Sequence, residues 1–398
     1  MKNNPYLLIS PAYPPPLVGG SKVWFYNMVE NGDHKSFDIL TSPLKSGFDE
    51  VVSDKHRVFR NKYIWDSNTK DPSTKHLIKS YLTILFWFWK RNKKVKYEVV
   101  IGGAFDFANG LLIILCKYLK IPIICLGAAE EFTLTLKGSG LKNFIKRSLL
   151  KFTHKRADGF IVSCHFCKDV LISIGVNSKI IYVIPSPVSP QKISSVNTNR
   201  FGGYNVLSVG RIIERKGFHS LILATKKLIK QFPKISTNIV GDGPYLPELK
   251  ELIKINNLDN YIKLHGSISD ESLSKLYEDA NLFVLAHMML DNGDTEGCPT
   301  VFAEASGQGI PIIGGTGAGA TTAIEDGETG FIVDSRDIHM LTERMSMILK
   351  NESLAKKMSL KGIEKINKGF TPKFAGSEFY LSIDKLLKNY KHNKILKG

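Results

Sequence analysis

The sequence predicts an α/β protein of two Rossmann-like, doubly wound domains facing each other across a cleft, and three observations predict it. At 398 residues the chain exceeds one core of ordinary size. Short apolar runs alternate with helical stretches along most of its length. A stretch rich in Pro, Ser, Asn and Gly, residues 186–204, interrupts that series and reads as a linker.

The first run, Tyr6-Leu7-Leu8-Ile9, ends at Ser10-Pro11. Residues 38–41, 98–101, 122–125, 159–163 and 180–184 repeat the type. Continuous apolar runs bounded by turn residues suit parallel strands covered on both faces, and the first domain is placed at 1–188. After the linker, residues 204–209 end at Gly210, and 237–240 end at Gly241-Asp242-Gly243. Residues 262–264 end at His265-Gly266, 282–285 end before Ala286, and 311–313 end at Gly314-Gly315. Strands that each end in glycine or a small residue put ligand contact at the carboxyl edge of a parallel sheet, and the second domain is placed at 200–371. The chain closes on a helical pattern, with Thr371 as cap, Pro372 in the first turn, and Phe379, Ile383, Leu387 and Tyr390 on one face. This helix, 372–390, is expected to pack back on the first domain.

Composition is that of an ordinary globular protein, 43% hydrophobic and 23% charged. The net charge of +17 is less ordinary. Residues 1–190 carry 27 Lys/Arg against 14 Asp/Glu, a net +13, and residues 191–398 carry 27 against 23, a net +4. The excess therefore draws an anionic partner to the N-terminal half. No nucleic-acid motif accompanies it, so nucleic acid ranks last among the candidates. The five cysteines, an odd and sparse set, suit a reducing compartment. No signal-peptide pattern opens the chain, and no run reaches the roughly 20 apolar residues that span a bilayer. A cytoplasmic protein, peripheral on the inner membrane face at most, is the expectation.

Three features of the second half carry chemistry. In Gly210-Arg211-Ile212-Ile213-Glu214-Arg215-Lys216-Gly217, Arg211 and Lys216 sit where a strand hands over to a helix. Cations there meet anions already favoured by free backbone N–H groups, although a solvated basic turn reads the same way. Glu296 and Glu304 stand with seven residues between them. Glu304 lies in an apolar stretch and needs a partner, for which a sugar or ribose diol is suited. Glu296 precedes a helix start at which Gly297, Cys298 and Thr300 offer N–H groups; an acidic helix end is the plainer reading. The third feature, the glycine-rich turn 314–319, is weak evidence of phosphate binding by itself. Cys164-His165-Phe166-Cys167 has no second ligand pair at zinc spacing and reads as two packing cysteines. No metal and no cofactor are expected.

Together these segments resemble glycosyltransferase family 4, the retaining nucleotide-sugar enzymes of GT-B fold. Gly210-Arg211 to Lys216-Gly217 is similar to the family's pyrophosphate-binding segment, and Gly241-Asp242-Gly243-Pro244 to its Gly-Asp-Gly-Pro turn. Glu296-Gly297-Cys298-Pro299 to Glu304 is similar to its paired-glutamate signature, and residues 326–331 to its Asp-Gly-x-Thr-Gly turn. The resemblance is specific over about residues 203–370 and loose before them. It implies that Arg211 and Lys216 stabilise a departing diphosphate, and that Glu304 grips ribose hydroxyls. It further implies that Glu296 with Gly297, Cys298, Pro299 and Thr300 orients the donor sugar, with Gly210 and Gly243 in the same pocket. The backbone near Ser267 and Ile268 would hold the base, and Gly19-Gly20, otherwise a tight turn, would approach the donor phosphate from across the cleft.

Where the family often has a His, after the 122–125 strand, this chain has Glu130-Glu131, which become candidates for sugar contact. Thr321-Thr322 replaces the usual Pro-acid pair. The implied reaction is retaining transfer of a hexose from a UDP- or GDP-sugar to a glycan or lipid-linked acceptor in surface-polysaccharide or glycolipid assembly. Two alternatives keep the fold: a nucleotide-sugar 2-epimerase and a catalytically inactive partner subunit. Segments 75–96 and 137–156 each hold seven Lys/Arg and no Asp/Glu beside apolar and aromatic residues. They are read either as an anionic-membrane surface or as core helices with solvated basic ends.

Overall fold

A computed structural model describes residues 5–10, 13–14, 20–32, 35–44, 55–65, 73–103, 107–127, 133, 136–137, 140–189, 202–316 and 319–395. Gly19, Glu130, Glu131 and most of the linker stretch lie outside them. The chain forms two compact units, Met1–Ser186 with Pro372–Gly398, and Pro187–Thr371.

In the first unit seven parallel strands are ordered β3-β2-β1-β4-β5-β6-β7. They are β1 (Tyr6–Ile9), β2 (Phe37–Thr41), β3 (Arg57–Arg60), β4 (Val99–Gly103), β5 (Ile123–Gly127), β6 (Gly159–Val162) and β7 (Ile181–Val183). Every residue of β1, β2, β4, β5 and β6 is buried, as continuous apolar runs require when both faces are covered. The covering helices are α1 (Gly20–Glu30), α2 (Thr74–Val95), α3 (Phe107–Tyr118), α4 (Leu141–His154) and α5 (His165–Ser173). β3 escaped the sequence reading because it is a charged edge strand with no apolar run. Its Arg57 meets the fully buried Asp38 of β2 at 2.7 Å, and Arg91 and Tyr97 supply that carboxylate's other partners. A buried charge needs such company.

The final helix of the chain, Pro372–Ile395, belongs to this unit. It buries Phe379 and Ile383 completely in the first unit's core, and Tyr380 Oη donates to the Val29 carbonyl at 3.0 Å. Leu387 is buried as well, while Tyr390 is half-buried. Cys164 and Cys167 are free and buried at the start of α5, with their Sγ atoms 3.1 Å apart.

In the second unit six parallel strands are ordered β10-β9-β8-β11-β12-β13. They are β8 (Asn205–Val209), β9 (Ser236–Val240), β10 (Ile262–Leu264), β11 (Leu282–Leu285), β12 (Ile312–Gly315) and β13 (Gly330–Val333). The connecting helices are α6 (Phe218–Leu228), α7 (Leu246–Ile255), α8 (Asp270–Asp279), α9 (Thr300–Gly307), α10 (Ala320–Ala323), α11 (Ile338–Lys350) and α12 (Glu352–Gly369). β13 extends the turn at 326–331 that the sequence shows only as a turn, and it pairs with β12. Phe218, Phe283 and Phe302 are fully buried, so α6 and α9 are both fastened to the strands they follow.

Candidate active site

The strand order of the second unit reverses between β8 and β11. In a doubly wound sheet the crevice at the carboxyl ends of two such strands is where ligands sit. β8 leads into 210–217, and β11 leads into 286–299. Backbone bonds lock these segments together. The Met288 amide donates to the Arg215 carbonyl at 2.8 Å. Gly217 has φ +69°, and a Cβ there would lie 1.8 Å from the Ala286 carbonyl oxygen. Only glycine permits that backbone and that approach. Gly315, at the end of β12, similarly leaves room for the His287 carbonyl, which a Cβ would meet at 1.7 Å.

This docking brings four charged side chains together. Lys216 Nζ donates to Glu296 Oε2 at 3.0 Å, and Arg215 Nε donates to Glu296 Oε1 at 2.7 Å. Arg215 Nη1 also holds both carboxylate oxygens of Asp294, at 2.7 and 3.0 Å. Burial pushes the Glu296 pKa up, but Lys216 and then Arg215 outweigh it and hold the group at about 2. The carboxylate is therefore ionised at any physiological pH, and the cluster is a fixed array of charge.

Behind the array His287 is fully buried. Its Nδ1 lies 3.1 Å from the Leu285 carbonyl and 3.3 Å from the Gly315 amide, while Nε2 has no hydrogen-bond partner. Burial lowers its pKa to about 4, so the ring is neutral near pH 7. Glu304, on α9, accepts from the hydroxyl of Tyr277 at 3.3 Å. Tyr277 is almost wholly buried on α8, and burial followed by the Glu304 charge raises its pKa well above the ordinary value. The apolar surroundings of Glu304 did call for a partner, and Tyr277 is one.

The other sequence-predicted residues of the second unit lie along the same edge. Ile212 bonds to the Asp242 and Tyr245 backbone at 2.9 and 3.1 Å, setting Gly243 beside the loop of Gly210 and Arg211. The Gly241 amide reaches the Gly266 carbonyl at 2.9 Å, which brings the turn carrying Ser267 and Ile268 alongside. Ser267 is exposed and Ile268 half-buried. Gly297, Cys298 and Pro299 lead into α9 at Thr300, and no side chain caps that helix start. The Phe302 amide donates to the Pro299 carbonyl at 3.2 Å, while those of Thr300 and Val301 make no hydrogen bond among the described residues and can meet an anion. Arg211 is exposed, and its side chain makes no ion pair among the described residues. Gly20 opens α1 in the first unit.

Four residues of the cluster were missed from sequence: Arg215, Asp294, Tyr277 and His287. Arg215 adjoins Lys216, and Asp294 precedes Glu296 by two residues, so both were within reach of the motif. Tyr277 and His287 carried no local signal. Among the described residues no three His, Cys, Asp or Glu side chains gather as a metal ligand set.

Residues 191–365 match the family Glycosyl transferases group 1. The chain is 30% identical over 158 residues to the GDP-mannose-dependent alpha-(1-6)-phosphatidylinositol monomannoside mannosyltransferase of Mycolicibacterium smegmatis. That match covers 39% of this chain and 41% of the relative, so the chain spans less than half the relative's length. Among solved structures, sucrose-phosphate synthase from Thermosynechococcus elongatus is similar with a TM-score of 0.74 at 19% identity, covering 98% of this chain and 100% of that one. Anabaena HepE in complex with UDP gives 0.70 at 16%, covering 96% and 100%. These structures establish the fold as GT-B. The stretch that matches Glycosyl transferases group 1 is the one that holds Arg211, Arg215, Lys216, Glu296 and Glu304 on one sheet edge.

Proposed function

We propose that this chain is a retaining glycosyltransferase, of glycosyltransferase family 4, that moves a hexose from a UDP- or GDP-sugar to a glycan or lipid-linked acceptor in polysaccharide or glycolipid assembly. The observation that carries the reading is the Lys216–Glu296–Arg215 array at the topological switch point, beside the uncapped start of α9. The family match over 191–365, the phosphatidylinositol monomannoside named for one relative and the UDP bound by HepE support it.

Breaking the bond between the sugar and the diphosphate sends its electron pair to a phosphate oxygen and leaves positive charge on the sugar ring. An ammonium has three N–H donors, and Lys216 spends one on Glu296. The remaining two have no partner among the described residues and can meet the departing diphosphate, with Arg211 as a second cation. Arg215 has both carboxylates to hold, so it positions Glu296 rather than meeting the donor. Glu296, kept ionised, faces the donor sugar with the amides of Gly297, Cys298 and Thr300, and Glu304 accepts from the ribose hydroxyls. The leaving charge is thus met by fixed cations and amides in a preorganised site. No resident ion is required by this scheme, and treatment with a chelator should leave the transfer rate unchanged. We place the reaction in the cytoplasm. No helix among the described residues is long and apolar enough to cross a membrane.

Thermal melting with UDP-, GDP- and ADP-sugars tests the reading. A matching donor at a hundred times its Kd should stabilise the protein by about 2.7 kcal/mol, and Lys216→Met should shrink the shift. Transfer with the donor's anomeric configuration retained, read by NMR, completes the assignment. If no nucleotide sugar raises the melting temperature, the proposal fails.

A further inference from the structure

The geometry points to the outer face of α2, α3 and α4 as a surface that docks on a bilayer carrying anionic lipid. Ile78, Leu82 and Phe86 recur every fourth residue of α2 and are 53, 60 and 62% exposed. Trp89 continues the stripe, and α3 adds Ile114 and Tyr118 beside it. An apolar groove of about 530 Å³ runs between the two helices. α4 packs on α3 and turns Phe144 and Phe152 outward. A contiguous apolar face of this kind marks an interaction site.

The charge on the face selects the occupant. α2 carries six Lys/Arg, α3 one and α4 four, and none of the three helices contains an Asp or Glu. Arg91 is held by Asp38, and Lys117 by Asp158. Lys75, Lys79, Lys90, Lys93 and Lys94 are exposed and pair with no carboxylate among the described residues. They bracket the apolar stripe, two at its start and three at its end. Lys79 Nζ lies 3.9 Å from the Tyr63 ring centroid and Lys93 Nζ 3.4 Å from that of Trp89. These stems lie along aromatic surface and carry their charge to its rim. A second copy of the chain would set cations against cations across such a face. A bilayer offers acyl chains to the stripe and anionic headgroups to the lysines at once.

The surface lies wholly in the first unit, and its test reads lipid partition, so its failure and that of the sugar-transfer reading are separate. The full chain is floated with vesicles of phosphatidylcholine alone and of phosphatidylcholine with phosphatidylglycerol, at low and moderate salt. Partition to the anionic vesicles only, weakened by salt, is expected. The double variants Phe86→Ser/Trp89→Ser and Lys90→Glu/Lys94→Glu should each lower partition on the order of tenfold or more. Ile255→Ser, at a 68% exposed apolar site of the second unit, should leave it unchanged. All four α2 positions are exposed, so either double variant tests the idea if the other folds poorly. The inference is overturned if the parent stays with neither vesicle at low salt, or if a folded α2 variant partitions like the parent. It is also overturned if the parent is a dimer that Phe86→Ser/Trp89→Ser converts to monomer.

Discussion

Lys216 and Arg215 are neighbours in sequence with different work. Lys216 makes one ion pair and keeps donors in reserve, while Arg215 divides itself between Asp294 and Glu296. Their loss should therefore read out differently. Lys216→Met leaves Glu296 bound to Arg215, so stability should fall little while kcat drops by about a hundredfold or more, as when one preorganised charge-stabilising donor is removed. Arg215→Ala leaves Asp294 without its guanidinium and Glu296 with Lys216 alone in a half-buried site, and destabilisation of about 3 kcal/mol is expected from thermal or urea melts. Equal effects of the two substitutions on both readouts would contradict this division of roles. Tyr277→Phe removes the hydroxyl that Glu304 accepts from. A loss of about 1–2 kcal/mol in stability should accompany weaker donor binding, and donor titration by calorimetry would show unchanged affinity if Glu304 has no part in the ribose site.

At the scale of elements, the site depends on how closely the loop after β8 lies against the extension of β11. Gly217 is the point of contact. Gly217→Ala would place a methyl group 1.8 Å from the Ala286 oxygen on a left-handed backbone, and both strands are buried and cannot give way. Destabilisation beyond about 4 kcal/mol is the expected outcome, with the Arg215 and Lys216 pairings lost first. An Ala variant that melts with the parent would show that this loop adjusts freely.

At the scale of the whole molecule, each unit buries a histidine that the folded state keeps neutral. Burial lowers the pKa of His154 in the first unit and of His287 in the second to about 4 from the ordinary 6.5. The unfolded chain thus binds more protons than the folded one between pH 6.5 and pH 4. The contribution of the two histidines must fall as pH drops through that window and level off below it, by up to about 3 kcal/mol for each. Glu296 acts in a lower window. Its folded pKa is depressed to about 2, so its contribution is complete above about 4.5 and is lost as pH falls toward 2. Urea midpoints measured from pH 7 to pH 4 should show the first slope, and His154→Gln with His287→Gln should reduce it, burial of His56 and His219 supplying part of the remainder. A parent whose midpoint is level across that range would refute the assignment.

Much of this arrangement was legible in the amino-acid sequence. The parallel strands with continuous apolar runs, the glycines that close them, the buried stripe of the last helix and the positions of Lys216, Glu296 and Glu304 were all readable, because each is a local pattern of burial or turn chemistry. The charged edge strand β3 was not, since its place comes from pairing with β2 and from the Arg57–Asp38 contact rather than from its own residues. Nor did the sequence distinguish Arg215 from Arg211 as the guanidinium on Glu296. That pairing joins residues 81 apart in the chain, and it exists because β8 and β11 are neighbours in the sheet. Tyr277 and His287 belong to the same class: their roles come from what strand order places against them, and only the folded chain sets that order.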